Sequence, residues 1–295
     1  MQVVKPFTAL ACTLTLVAAC GGAPAPSDHR ILDKAILSSA NGMSTNGMST
    51  NGMSTNGLST NGLSTGGLST PAFATWFLLD PSFASTVMAY VARCAMPAGK
   101  TLSYTVGGFT YGWVGVLGLA PTWSAGLPMP VAEQQLVSAC LAAHANKYGV
   151  HVNISVRGYG ADRTPIPVSA AEATSYPNDE GCFFGNLFDH TGVLSAYSYN
   201  SPMVNRGITS LRVCAVNDGH LGECAPMTTT GYSCQDLCTG GSPGTLAYQT
   251  CTWGGVAYRP ISVRLADAQI ATCGDGICAP SESCSSCAVD CGACR

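Results

Sequence analysis

The cysteines constrain this chain more than any other feature. Sixteen are present among 295 residues, and long cysteine-free stretches divide them into three groups. Two lie within the first 20 residues, eight lie between Cys94 and Cys251, and six lie between Cys273 and Cys294. Because each group is even, the second and third groups can each close on themselves as disulfides. Disulfides form in oxidising compartments, so this usage indicates an exported protein.

The N-terminus agrees with export. An apolar run over residues 7–19 has the length of a signal-peptide core and is too short to span a bilayer. The run ends in Val17-Ala18-Ala19-Cys20, which resembles the lipobox of bacterial lipoproteins. That resemblance implies a signal peptide over residues 1–19 and a lipid on Cys20, with Gly21 implying sorting to the outer membrane. An ordinary secretory peptide is the alternative.

Fourteen cysteines remain once Cys12 leaves with the signal peptide and Cys20 is lipidated. We predict that all of them are bridged: Cys94, Cys140, Cys182, Cys214, Cys224, Cys234, Cys238, Cys251, Cys273, Cys278, Cys284, Cys287, Cys291 and Cys294. The pairing stays open, except that Cys94 and Cys140 each lie on an apolar helical face, which favours a bridge between them.

Residues 20–70 form a low-complexity segment with six pentapeptides, mostly Asn-Gly-Met-Ser-Thr or Asn-Gly-Leu-Ser-Thr, from Asn41 onward. With a period of five, the apolar residue of each repeat does not stay on one face of a helix, and it does not stay on one face of a strand either. A short solenoid is the alternative, but six repeats would complete only about one and a half coils. We therefore expect a flexible, lipid-anchored stalk.

Residues 71–267 are long enough for one domain with its own core. Asp80-Pro81 predicts a capped helix start, and Gly107-Gly108 between two alternating segments predicts a hairpin. We expect a second helix from Pro130 to Tyr148 and then a half-buried strand over residues 150–157. Further strands are expected at Leu211 and Val213, and at Ile261, Val263 and Leu265. Helices and strands follow no βαβ rhythm, so we predict a single disulfide-rich α+β domain.

The segment Asn178–Asn186 and its neighbours combine carboxylates, an amide and a histidine. We take as the candidate site Asp179, Glu180, Asn186, Asp189 and His190. Paired carboxylates are typical of glycosidases, and Cys182 is a candidate thiol nucleophile, although an even cysteine set favours its being bridged. The alternative is a tight turn beside core aromatics.

The sequence contains little that points to other chemistry. The chain lacks the Gly-x-Ser-x-Gly and His-Glu-x-x-His motifs, so we assign no catalytic residue. A metal or acid–base cluster of Asp189-His190 with His220 is an alternative to structural roles for these residues. The tryptophans are candidates for a sugar-stacking platform, with core packing as the alternative: Trp76, Trp113, Trp123 and Trp253.

The tail, residues 273–295, resembles a small cysteine-rich module that is appended to many secreted bacterial proteins. The match rests on Cys273-Gly-Asp-Gly-Ile-Cys278 and on the closely spaced cysteines up to Cys294. Disulfides must hold so short a segment together, and Cys287 and Cys291 are too close for a zinc ribbon. The oxygen ligands Asp275, Glu282 and Asp290 are a candidate calcium site; turn formation is the alternative.

The whole layout comprises the lipobox-like residues, the Asn-Gly-Leu-Ser-Thr repeats, Gly118-Leu-Ala-Pro-Thr-Trp123, Glu180-Gly-Cys-Phe-Phe-Gly-Asn186 and the cysteine-rich tail. It resembles secreted lipoproteins of the myxobacterial type, and the resemblance implies no particular activity. A net charge of −3 with only 10% charged residues argues against nucleic-acid binding. We therefore expect a surface-exposed protein with a binding, adhesive or structural role and no enzymatic activity. Its expected partners are the membrane, through the lipid, and an extracellular polysaccharide or protein. The alternatives are a secreted hydrolase acting on carbohydrate and a protease inhibitor or other protein-binding module.

Overall fold

The computed structural model describes residues 38–41, 43–44, 68, 70–146, 152–189, 191–199, 201, 227–241, 247–267, 278, 283–285 and 288–294. All of them belong to one of the chain's two compact units, Lys34–Arg295. The signal peptide, Cys20 and most of the pentapeptide repeats lie outside the described residues, so those predictions stay predictions. None of the described helices has the length and apolar character needed to cross a membrane.

Helices α1 (Pro71–Leu79) and α2 (Pro81–Ala95) each begin at a proline that follows a capping side chain. The hydroxyl of Thr70 and the carboxylate of Asp80 each accept a hydrogen bond from the amide three residues on, at 3.2 and 3.0 Å. Proline suits this position because its missing N–H would have no intrahelical partner. The helix predicted at Asp80-Pro81 is confirmed.

The hairpin is also confirmed. Strand β3 (Thr101–Val106) pairs antiparallel with β4 (Phe109–Val114), and Gly107 and Gly108 form the two-residue turn. Both glycines have positive φ, +60° and +82°. A two-residue turn with positive φ at both positions matches the twist of the flanking strands, and glycine adopts it without a steric penalty.

Aromatic rings fill the space between α1 and the hairpin. The ring centroid of Phe77 lies 5.0 Å from that of Tyr104 and 4.7 Å from that of Tyr111, both in edge-on arrangements. Trp113 is buried and donates a hydrogen bond from Nε1 to Ser85 Oγ on α2 at 3.0 Å. These contacts fix the hairpin against the helices.

The second long helix ends earlier than predicted. After the short helix α3 (Pro121–Ser124), helix α4 covers Val131–Ala143, and the buried His144 is its C-cap. Strand β5 (Ala145–Asn146) follows and pairs in parallel with β2 (Met43–Ser44). The helix therefore gives way to strand pairing before the predicted end at Tyr148.

A six-stranded sheet forms the centre of the domain. Its strands are β1 (Ser38–Asn41), β6 (Val152–Gly158), β13 (Ile261–Leu265), β7 (Asn178–Asn186), β8 (Gly192–Tyr197) and β9 (Met227–Ser233), in that spatial order. The pairing is antiparallel except between β8 and β9. Helix α4 packs against β7 and β13 on one face of the sheet. Ile154, Val156, Phe183 and Val263 belong to the main core. The strand predicted at residues 261–265 is confirmed, whereas Leu211 and Val213 lie outside the described residues.

The opposite face of this sheet is covered as well. It carries α5 (Ala170–Ser175), α6 (Cys234–Leu237) and a small sheet of β10 (Cys238–Thr239), β11 (Thr250–Trp253) and β12 (Val256–Tyr258). A second hydrophobic cluster lies there, around Cys182, Phe184 and Tyr258. Ser155 and Arg157 on β6 are consequently buried, whereas the sequence predicted a half-buried strand. The domain is α+β, as predicted.

Five disulfides join ten of the described cysteines, which bears out the disulfide-rich interpretation. The pairs are Cys94–Cys140, Cys182–Cys234, Cys238–Cys251, Cys278–Cys291 and Cys284–Cys294. The predicted bridge between Cys94 and Cys140 is confirmed. Cys214, Cys224, Cys273 and Cys287 lie outside the described residues. In the tail, a single helical turn, α7 (Ala288–Cys291), lies between bridged cysteines.

Part of the predicted stalk belongs to the fold. Strand β1 pairs with the edge of β6 and β2 pairs with β5, although both come from residues 20–70. Leu68 lies in the main core, and Thr70 caps α1. The sequence pattern missed β1 and β2 because an edge strand contributes backbone hydrogen bonds and needs no apolar periodicity.

Candidate functional site

The two carboxylates at the centre of the predicted site belong to consecutive residues of β7, Asp179 and Glu180. A β-bulge opposite Val263 and Arg264 turns Asp179 toward Arg264, whose Nε lies 2.9 Å from Asp179 Oδ1. Burial raises the pKa of Asp179, and the Arg264 guanidinium opposes that rise. Glu180 is fully buried. Neither carboxylate is presented at an open surface, where a substrate would have to reach it.

Asn186 and Asp189 build the turn between β7 and β8. Asn186 donates from Nδ2 to Gln134 Oε1 at 3.1 Å, and its Oδ1 accepts from the Phe188 amide at 2.9 Å. Asp189 Oδ1 accepts from the amide and the hydroxyl of Thr191, at 3.0 and 2.6 Å. Both side chains therefore stabilise local backbone. His190 lies outside the described residues, as does His220.

Charged side chains on the covered face of the sheet form a buried network. Arg157 is 7% exposed, and the Nε and Nη2 atoms of its guanidinium have no hydrogen-bond partner. Burial lowers the pKa of Arg157, and the nearby Glu172 opposes this shift. Glu172 accepts a hydrogen bond from Ser155 Oγ. The hydrogen bond between Ser155 and Glu172 links α5 to the sheet. Arg157 stays protonated throughout the physiological range.

A groove of about 520 Å³ lies away from these residues. It follows β3 from Leu102 to Val106, and Leu68 and Ala74 complete its wall. Among the described residues, this lining contains no carboxylate and no histidine. The groove therefore brings together none of the residues that the sequence analysis selected for chemistry.

The four tryptophans separate into two environments. Trp76, Trp113 and Trp123 are buried in the main core, where they serve packing. Trp253 packs only partly against the second cluster and retains a half-buried ring. Its ring centroid lies 5.9 Å from that of Tyr232, with the planes at 64°. The interpretation as core packing holds for three of the four residues, and Trp253 reaches the surface.

Trp253 belongs to a surface that we call the aromatic patch, defined by Tyr199, Tyr232, Gln235, Asp236 and Trp253. Tyr199 and Tyr232 are 59% and 54% exposed. The Tyr199 hydroxyl donates to Asp236 Oδ1 at 2.7 Å. Asp236 is the third residue of α6, which begins directly after Tyr232 and Ser233. The ring pair of Tyr232 and Trp253 lies close in the chain to this carboxylate, because Tyr232 directly precedes Ser233, whose hydroxyl donates to Asp236 Oδ2.

The polar groups of the patch are held in place by the fold. Ser233 and Asp236 form a capping box at the start of α6, in which Ser233 Oγ lies 2.6 Å from Asp236 Oδ2. Hydrogen bonds from Ser233 and then from Tyr199 lower the pKa of Asp236, so it is ionised at neutral pH. Gln235 donates to Ser198 Oγ at 3.2 Å and accepts from the Tyr199 amide at 3.4 Å.

Two disulfides lie directly beneath this surface. Cys182–Cys234 ties the first residue of α6 to β7, and Cys238–Cys251 ties the end of α6 to β11, two residues before Trp253. Cys182 Sγ and Cys238 Sγ are 3.6 Å apart. Cys182 is therefore bridged, and it is not available as a thiol nucleophile.

The described residues provide little for a metal. Cys182, Cys238 and Cys251 cluster with ligand-like spacing, as do Cys94, Cys140 and His144. All of these cysteines are bridged, whereas a metal is bound by a thiolate. In the tail, Cys278 and Cys284 are bridged too, which argues against zinc there. Asp275, Glu282 and the side chain of Asp290 lie outside the described residues, so the calcium site stays a prediction.

Sequence reasoning missed the tyrosines and Asp236 of the patch. The available signal was Ser233-Cys-Gln-Asp236, a serine followed three residues later by an acid, which predicts a helix start. It places Asp236 at a helix N-terminus but does not bring it near Tyr199. Comparison of the chain with protein-family profiles, with curated proteins and with solved structures finds no match.

Proposed function

We propose that this chain is an outer-membrane-anchored lipoprotein that binds an extracellular ligand, with an adhesive or structural role at the cell surface. The disulfides place its folding outside the cytoplasm. The lipobox-like residues ending in Cys20 support the anchor. The binding role rests on one observation, the aromatic patch, in which two tyrosines are more than half exposed and one of them packs against the half-buried ring of Trp253.

The same geometry favours binding over hydrolysis. A hydrolase acting on carbohydrate needs two carboxylates that converge on an accessible substrate. Asp179 is paired with Arg264, Glu180 is buried in β7, and Asp189 stabilises a turn. The aromatic patch instead offers exposed rings next to preset hydrogen-bonding groups, an arrangement suited to holding a ligand.

The proposal is tested by adhesion of the purified mature protein to extracellular matrix prepared from its source cells. We expect Tyr199→Ala combined with Tyr232→Ala to lower the apparent affinity at least tenfold, because both rings leave the patch. Leu79→Ala is the matched control, since Leu79 is 72% exposed on α1 and outside the patch. Equal adhesion of the tyrosine variant and the wild type would overturn the proposal. Both variants change exposed side chains, so unfolding curves should confirm an unchanged fold.

A further inference from the structure

We infer that the ligand of the aromatic patch is a neutral saccharide chain, stacked on Tyr232 and Trp253 and hydrogen-bonded by Asp236 and Gln235. The inference rests on the proposed function and names the class of ligand for the same surface. Three properties of the patch support it: the type of ring surface, the type of hydrogen-bonding group and the net charge.

The rings suit the apolar face of a sugar. A pyranose ring presents a face of C–H groups, and these are attracted to the negative face of an aromatic ring. Tyr232 is 54% exposed, and Trp253 is anchored in the second hydrophobic cluster on its inner side. The two rings meet at 64° with centroids 5.9 Å apart, so they form an angled platform rather than a flat patch. A chain of sugar rings can turn across such a platform.

The polar groups suit hydroxyl groups. A sugar hydroxyl both donates and accepts, so it needs acceptors and donors close together. The carboxylate of Asp236 accepts hydrogen bonds, and the side-chain amide of Gln235 both donates and accepts them. Asp236 is fixed by Ser233 and Tyr199, and Gln235 is fixed by Ser198. Because these side chains are ordered before the ligand arrives, less conformational entropy is lost on binding.

The charge argues against an acidic polymer. Asp236 is the single charged residue of the patch as defined, and its pKa is lowered. A uronate or phosphate polymer would bring like charge to this carboxylate and would find no cation within the patch to offset it. A neutral saccharide meets no such repulsion.

The underlying framework keeps the platform rigid. The Cys182–Cys234 and Cys238–Cys251 bridges fix both ends of α6 and hold β11 in place, so the carboxylate and Trp253 keep their separation. Weak contacts to a sugar contribute most to the binding free energy when the protein groups are held in position before the sugar binds.

The experiment that tests this inference modifies the extracellular matrix chemically and leaves the protein unchanged. One sample of extracellular matrix is oxidised with periodate, which cleaves vicinal diols of sugars, and another is digested with protease. We expect adhesion of the wild-type protein to fall at least tenfold after periodate and to change less than twofold after protease. Loss after protease with retention after periodate would overturn the saccharide inference and leave the proposed function standing. No adhesion to untreated matrix would overturn both.

Matched variants and salt test the chemistry of the site. Tyr232→Phe should bind within twofold of the wild type because it keeps the ring, whereas Tyr232→Ala should lose at least tenfold. Asp236→Asn should lose affinity without gaining salt dependence. Raising the salt from about 0.05 to 0.5 M should change wild-type adhesion less than twofold, because a neutral ligand has no charge to screen. A steep loss with salt would contradict the neutral ligand.

Discussion

At the scale of single residues, Glu133 shows how one buried carboxylate supports a neighbouring element. Helix α3 is preceded by Ala120, which has no side-chain cap. Glu133, in the first turn of α4, accepts hydrogen bonds from the amides of Thr122 and Trp123 at 2.9 and 3.2 Å. The carboxylate is 2% exposed. It therefore satisfies two helix N-terminal donors that the local sequence leaves without an acceptor.

Glu133→Ala should lower the free energy of unfolding by about 3 kcal/mol, because it leaves two amides without their acceptor and opens a small cavity. Glu133→Gln keeps one acceptor and should cost about half as much. Chemical denaturation measures both. Asp189→Ala is the control, since Asp189 also accepts two hydrogen bonds but is exposed. An equal loss in the Glu133 and Asp189 variants would show that burial is not the cause.

At the scale of elements, four sulfurs join α6, β7 and β11. The two bridges Cys182–Cys234 and Cys238–Cys251 are neighbours, with Cys182 Sγ and Cys238 Sγ 3.6 Å apart. A free thiolate at Cys238 would lie in contact with the first bridge. It can attack Cys182 Sγ, form a Cys182–Cys238 bond and release Cys234 as a thiolate, with no net oxidation or reduction.

Cys251→Ala should therefore give two bridging patterns in one preparation at mildly alkaline pH. We expect non-reduced peptide mapping, after alkylation of free thiols, to find both Cys182–Cys234 and Cys182–Cys238. Cys140→Ala is the control, because it frees Cys94 on α2, where the described residues bring no second bridge nearby, so one pattern is expected. Detection of Cys182–Cys234 alone in the first variant would contradict exchange between the bridges.

At the scale of the whole molecule, the described disulfides fall within the domain or within the tail and do not join the two. Cys94–Cys140 links α2 to α4 across 46 residues of chain, whereas Cys278–Cys291 closes a span of 13 residues within the tail. This separation matches the even division of the cysteines into eight and six. The two parts can therefore be perturbed independently.

Replacing both Cys94 and Cys140 with alanine should lower the free energy of unfolding of the domain by about 3–4 kcal/mol. Without this bridge, the unfolded chain has a higher conformational entropy, and the gain grows with the length of the loop that the bridge closes. The matched double variant at Cys278 and Cys291 should leave that unfolding transition unchanged. Denaturation followed by tryptophan fluorescence reports on the domain, since all four tryptophans lie there. A similar loss in both variants would mean that the tail stabilises the domain.

The sequence by itself determined the features that depend on short stretches of chain. The cap and proline at Asp80-Pro81 fixed a helix start, Gly107-Gly108 fixed a hairpin, and the even cysteine groups indicated a disulfide framework. Each is a local preference of the backbone or a rule of composition, so no distant residue has to be known. The apolar helical faces that carry Cys94 and Cys140 also favoured the bridge between them, which the structure contains.

Only the tertiary structure decided which of these side chains are buried and which lie at the surface. The sequence favoured Asp179, Glu180 and Asn186 because they are close in the chain, and strand β7 buries or pairs them. The aromatic patch instead draws Tyr199, Asp236 and Trp253 from separate elements. The Tyr199 hydroxyl donates to Asp236, and two bridges tie the ends of α6 to β7 and β11. The same is true of the edge strand β1, whose pairing depends on a partner more than 100 residues away. Proximity between distant segments is set by packing and cross-links, and a linear pattern carries little information about it.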